Sequence, residues 1–341
     1  MNIDTTAQEW PRHGGELTAA AERYGIPIAE WLDLSTGINP EPWPVPPLSP
    51  SLHTRLPERA ALDRLLQAAR DAYQIPDGVA VAALPGTELA IHLAPALMPP
   101  GGATAIFSPT YESHRQAWEN SGREVILLDT TAELPSNLTN AVIANPNNPD
   151  GRTLSRQALT EMATTLSSRG GMLLVDEAFA DTQPGVSICP LLDRIPALVL
   201  RSLGKFYGLP GLRLGFVTGP SRIVDRLARL LGDWPVSTAA IEIGTAALRD
   251  TEWQEATRKR LASDSLRLRE ILARRGFRFV GGTDLFVLTE HEDAIAIHRA
   301  LAEQAILTRV FRYAPNWIRF GLPPSHAFER LDRALENAAR V

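Results

Sequence analysis

The sequence predicts an α/β fold: a large domain with a mostly parallel sheet flanked by helices, then a smaller α+β C-terminal domain. Two observations carry this. Between about 51 and 232, short apolar runs alternate with helical stretches, the order of parallel strands joined by crossover helices. After about 233 the pattern changes to long helical stretches, then short strand-like runs, then helices again. A chain of 341 residues can bury two cores of this kind.

The expected elements follow in order. Residues 1 to about 40 read as an arm, and the Pro-rich stretch 41–50 as an extended linker. The domain boundaries are therefore set at 1–50, 51–232 and 233–341, the arm packing with the small domain. The apolar run 79–84 is a strand. It leads through Leu84-Pro85-Gly86-Thr87 into a helix reaching about Met98. Ala141-Val142-Ile143-Ala144 is a short strand, followed by the turn Asn145-Pro146-Asn147-Asn148-Pro149-Asp150-Gly151 and a helix over 155–169. Met172 to Glu177 is a strand ending in two carboxylates; 198–200 and 214–217 are further strands. In the small domain, helices are expected at 237–249, 251–275, 293–303 and 325–340. Strands are expected at 277–280, 285–289, 306–310 and 317–320.

Composition narrows the functional classes. A formal charge of −5 gives no reason to expect nucleic acid. The single cysteine, Cys189, excludes an internal disulfide framework and fits a reducing compartment. The polar start, Met1 to Arg12, does not read as a signal peptide, and no apolar run approaches a membrane span, so a cytoplasmic location is expected. The histidines show no metal-ligand spacing, so no metal is expected.

The chemistry is concentrated in Arg201-Ser202-Leu203-Gly204-Lys205, continuing through a Gly-rich loop to Arg213 and Gly215. A lysine, a hydroxyl and an arginine at a strand end suit a phosphorylated cofactor that forms a Schiff base. Lysine supplies the amine; serine and arginine hold the phosphate. Twenty-eight residues separate Asn148 from Asp176, and 29 separate Asp176 from Lys205. In a parallel sheet all three lie at the strand ends, where ligands bind. Gly86 and Thr87 open a helix and offer amides to an anion, although Thr87 by itself reads equally well as an ordinary helix cap.

These segments resemble the fold-type I enzymes that use pyridoxal 5'-phosphate (PLP), the class I/II aminotransferase family that includes histidinol-phosphate aminotransferase. The resemblance covers nearly the whole chain. It implies that Lys205 carries PLP, that Asp176 faces the pyridine nitrogen and that Asn148 reaches the ring hydroxyl oxygen. It further implies that Tyr111 stacks on the ring and that Gly86, Thr87, Ser202 and Arg213 bind the phosphate. An arginine in an apolar strand, Arg319, matches the one that forks onto a substrate carboxylate. Arg309 matches the one that reaches a substrate phosphate, with Arg312, in the connecting turn, as its competitor. The family also implies a homodimer.

Within the family the arm, with His13-Gly14-Gly15 and Asp33 to Pro40, resembles the branch that decarboxylates L-threonine O-3-phosphate in cobalamin biosynthesis. There the residues matching His13 and Asn39 lie near the substrate; on local grounds they read equally as a capping histidine and a turn asparagine. Two departures weigh against a plain aminotransferase. Phe179 stands where a tyrosine commonly bonds the ring oxygen, and Leu56 where many relatives send a tyrosine to the neighbouring subunit. Asp150, in place of the usual threonine, reads as a tolerated turn residue. A histidinol-phosphate-type aminotransferase is the alternative. A DNA-binding regulator on the same fold is disfavoured, since the arm is short and not basic.

Overall fold

The computed structural model describes residues 14–129 and 134–338. His13 lies outside the described residues. The first half contains α1 (Leu17–Tyr24), β1 (Leu32–Asp33), α2 (Ser51–Thr54), α3 (Arg59–Tyr73), β2 (Ala80–Leu84), α4 (Thr87–Leu97), β3 (Ala103–Phe107), α5 (Glu112–Asn120), β4 (Val125–Leu128), β5 (Leu138–Ala144), α6 (Arg156–Ser168) and β6 (Met172–Asp176). The second contains β7 (Ala197–Ser202), β8 (Gly215–Gly219), α7 (Ser221–Leu231), α8 (Thr238–Arg249), α9 (Thr251–Arg274), β9 (Arg278–Thr283), β10 (Phe286–Glu290), α10 (Ala294–Ala302), β11 (Ile306–Leu307), β12 (Arg309–Phe311), β13 (Ala314–Gly321) and α11 (Phe328–Ala338).

These elements divide into two compact units, Glu41–Lys259 and Met1–Pro40 with Arg260–Val341. The division differs from the boundaries expected at 50 and 232, for a packing reason. In the linker, the Trp43 amide donates to Tyr207 O at 2.9 Å and its indole to Asp250 Oδ2 at 3.0 Å. Helix α8 packs along α3. Linker and α8 are therefore parts of the larger unit.

The larger unit is built on a seven-stranded sheet in the order β2-β8-β7-β6-β5-β3-β4. All pairings from β7 to β4 are parallel, and β8 runs antiparallel between β2 and β7. The central strands read as continuous apolar runs because they are buried on both faces: every residue of β3, β6 and β7 is buried. Leu84, Ile106, Val142, Leu174, Leu198 and Val217 share one core. Helix α6 starts at Ser155, whose hydroxyl accepts from Ala158 N at 3.1 Å. With this topology the C-terminal ends of β2, β3, β5, β6 and β7 all reach the same edge of the sheet, where β8 begins. That edge carries the expected cofactor residues.

The smaller unit holds a four-stranded antiparallel sheet, β12-β13-β10-β9, and a two-stranded parallel pair, β1-β11. The single strand expected over 306–310 is two strands in different sheets. Leu32 pairs with Ile306, and Trp31 and Ala20 pack with Ala302, Ala305 and Leu307, which ties the arm to the C-terminal part of the chain.

Candidate active site

The turn after β2 is shaped by glycine. Gly86 has φ +85°, and a Cβ there would collide with Arg213 Nη2. The guanidinium therefore lies against the Gly86 backbone at the start of α4. Gly215 allows a second close approach, since a Cβ on it would fall 3.0 Å from Thr87 N. Gly215 is in register with both Leu84 and Ser202. Arg213 itself adopts φ 51°, an uncommon conformation for a residue with a side chain. Gly86, Thr87, Ser202 and Arg213 thus converge on one point at the sheet edge. Helix N-terminal amides, a hydroxyl and a guanidinium together form an anion cradle, and its close glycine contacts fit a cofactor phosphate.

Asp176 ends β6 and is buried. Its Oδ1 accepts from Ala178 N at 3.0 Å, and Oδ2 lies 3.0 Å from Nε2 of His114. His114 is also buried, on the first turn of α5. Sequence reading missed it, although it sits one helical turn beyond Tyr111. The two rings meet edge to face, with centroids 6.2 Å apart. Burial, joined by nearby Glu88 and opposed by a hydrogen bond with Ser113, pushes the Tyr111 hydroxyl up to about 12. Asn148 is partly exposed in the loop after β5. Nζ of Lys205 lies 5.7 Å from the centroid of the buried Phe179 ring. An apolar ring thus lies beside the lysine.

Behind this edge lies a buried ion triad that sequence reading also missed. Arg201 Nη1 bonds Glu177 Oε2 at 2.9 Å and Nη2 bonds Asp181 Oδ1 at 2.6 Å. Glu177 further accepts from Ser187 Oγ at 2.5 Å and Ile188 N at 2.7 Å. Burial pushes both carboxyls up, and Arg201 pulls both back toward the charged form. The triad links the residue after Asp176 to the residue before Ser202. Removing one member of such a group costs about 3–5 kcal/mol.

In the smaller unit Arg319 and Arg309 are direct cross-strand partners on β13 and β12. Arg319 is buried, donates from Nη2 to Ser35 O at 2.8 Å and lies 5.0 Å from the Phe286 ring centroid. Burial and, next, the Arg309 charge hold its guanidinium down at about 10. Asn39 is buried in the arm, and its Oδ1 accepts from Arg260 Nη2 at 2.8 Å. Arg312 is exposed in the turn after β12.

Among the described residues, no group of three or more His, Cys, Asp or Glu side chains is arranged to hold a metal ion. No helix among them is long and apolar enough to cross a membrane.

Residues 50–337 match the family model for aminotransferases of class I and II. A threonine-phosphate decarboxylase from Pseudomonas aeruginosa is 42% identical over 95% of this chain and 96% of its own length. One from Sinorhizobium sp is 40% identical over 93% of this chain and 95% of its own length. The fold is shared with histidinol-phosphate aminotransferase from Sinorhizobium meliloti, solved in complex with pyridoxal-5'-phosphate: TM-score 0.78, 17% identity, covering 99% of this chain and 98% of the other. The chain belongs to the class I and II aminotransferase family.

Proposed function

We propose that this chain is a PLP-dependent enzyme that decarboxylates L-threonine O-3-phosphate to (R)-1-amino-2-propanol O-2-phosphate, a reaction of cobalamin biosynthesis. The observation that carries the reading is the cross-strand pair Arg309 and Arg319. Two neighbouring arginines suit a substrate with two anionic groups. Threonine phosphate offers a carboxylate, for Arg319, and a phosphate, for Arg309 with Asn39 and His13. The names of the relatives alignable over nearly the full chain favour the same substrate.

Bound PLP supplies an electron sink conjugated to the substrate's Cα. Gly86, Thr87, Ser202 and Arg213 would hold its phosphate, Tyr111 its ring face and Asn148 its ring oxygen. Asp176, held by His114, would keep the ring nitrogen protonated. Lys205 would provide the amine that anchors it and, with water as the other candidate, the proton that Cα receives in place of the lost CO2. Arg319 and Arg309 would fix the two anionic ends of the substrate and so decide which group Cα gives up. Loss of the carboxylate as CO2 is decarboxylation; loss of the Cα proton begins transamination. Phe179 brings no hydroxyl to this site, in keeping with the first outcome.

The test is product analysis with threonine phosphate as sole substrate. Aminopropanol phosphate should form at the same rate with and without 2-oxoglutarate. A product that appears only with the keto acid reverses the reading in favour of an aminotransferase.

We also propose a cytoplasmic homodimer. Leu56, Leu230 and Trp234 are 65%, 59% and 58% exposed. Trp234 borders a cavity of about 730 Å³ lined also by Pro57, Leu62, Leu66 and Pro235. Exposed apolar surface of this kind suits a subunit contact. Leu56 has no hydroxyl to offer a neighbouring cofactor phosphate. The buried, unbridged Cys189 suits the reducing cytoplasm. Sedimentation of an active holoenzyme as a monomer would contradict the dimer.

A further inference from the structure

Strands β3 and β5 are parallel neighbours, and a loop leaves each at the sheet edge. The loop after β3 carries Tyr111, and the loop after β5 carries Asn148. Three side chains tie the two loops together. Asn147 is buried; it accepts from Thr110 Oγ1 at 2.7 Å and donates to Pro109 O at 2.9 Å and to Asp150 Oδ1 at 2.7 Å. Arg152 Nη2 donates to Phe107 O and to Pro109 O, both at 3.0 Å, while its Nη1 pairs with Asp150 Oδ2. The Arg152 amide also donates to Asp150 Oδ1 at 3.2 Å.

The Asp150 carboxylate is therefore the hub of this brace, more than the tolerated turn residue that the sequence suggests. The turn does not need it. Gly151 N donates to Asn147 O at 2.8 Å, and Asn147 N to Arg152 O at 2.9 Å, so the backbone alone closes the loop. What the carboxylate adds is a fixed guanidinium aimed across at the other loop. Arg152 holds the Asp150 carboxylate with Nη1 and both carbonyls with Nη2, a planar two-nitrogen arrangement that a lysine cannot reproduce. One residue beyond Thr110 lies Tyr111, and α5 follows with His114, the partner of Asp176.

We propose that Asp150 and Arg152 are positioning residues for the cofactor: their ion pair sets the distance between Tyr111 and Asn148 and, through α5, the placement of His114 against Asp176. The inference rests on the reading that Tyr111, Asn148 and Asp176 face PLP. Its consequence is that the brace acts on how the ring is held more than on whether the chain folds.

Holoenzyme variants Asp150→Asn, Arg152→Gln and Arg152→Lys test this through PLP release in dialysis, visible circular dichroism of the bound cofactor, and thermal unfolding of the apoprotein. Arg152→Gln should bind PLP about ten- to a hundredfold more weakly, the range for lost charge-assisted bonds, and change the dichroism. Arg152→Lys keeps the charge but not the fork and should restore neither. Asp150→Asn keeps an acceptor for Asn147 and should give a smaller change of the same kind. Apoprotein unfolding temperatures should stay close to wild type. Unchanged affinity and dichroism overturn the proposal, and so does a loss of apoprotein stability that matches the loss of affinity. Wild-type protein that fails to carry borohydride-fixed pyridoxyl on Lys205 would instead sink the underlying PLP reading.

Discussion

His114 reaches from α5 to hold Asp176 at the end of β6, across 3.0 Å, with both side chains buried. A hydrogen bond to a buried charged group contributes about 1.5–3 kcal/mol. His114→Phe should therefore lower kcat by roughly ten- to a hundredfold, with less effect on KM, and shift the visible band of the bound cofactor. Turnover and spectrum within twofold of wild type would show that Asp176 needs no such support.

Gly86→Ala tests the anion cradle. The new methyl would meet Arg213 at a backbone angle that side chains rarely adopt. Strain of about 1 kcal/mol and displacement of one charge-assisted donor together predict PLP binding weaker by about two orders of magnitude. Dialysis of the holoenzyme measures it. Wild-type retention of PLP would remove Gly86 and Arg213 from the phosphate site.

The paired arginines make separate predictions. Arg309→Ala should weaken threonine phosphate by about one to two orders of magnitude and leave unphosphorylated threonine almost unaffected. Arg319→Ala should harm both and cut turnover, because the carboxylate is no longer oriented. If Arg312→Ala, and not Arg309→Ala, separates the two substrates, the phosphate contact belongs to the turn.

A pH effect follows from His298 on α10, whose Nδ1 lies 2.7 Å from Thr308 Oγ1. Burial, then the charges of Arg23, Arg299 and Arg309, bring its pKa down from 6.5 to about 4. Between those values the unfolded state binds the proton and the folded state does not. Stability is therefore complete above about pH 6.5 and falls as pH drops toward 4, by on the order of 3 kcal/mol. Urea unfolding of wild type and His298→Gln at pH 7 and pH 4.5 should show a shallower decline in the variant. Parallel declines would contradict the assignment.

The sheet was legible where strands are apolar on both faces, as in β6 and β7, and where helices have clear starts, as at Ser155. Strands β3 and β4 were not singled out. Ala103-Thr104-Ala105 has little hydrophobic bulk, and β4 is largely partly exposed. The run at 306–310 looks continuous, yet Thr308 bonds His298 and the chain passes from one sheet to the other. The residues proposed to touch the cofactor were named from their motifs and the family resemblance, and the structure puts their loops at one edge because strand ends in a parallel sheet share it. Their supports were not named. His114, Arg201 and the Asp150–Arg152 pair act through contacts between distant segments, which periodicity does not encode.

In the proposed reaction the bond from Cα to the carboxylate of threonine phosphate is the one that breaks. Holoenzyme incubated with L-threonine O-3-phosphate carrying 13C at its carboxyl carbon, with no keto acid present, tests it directly. One labelled CO2 should appear for each aminopropanol phosphate formed. Label that stays in the organic product, or a reaction that waits for a keto acid and moves the amino group to it, would contradict it.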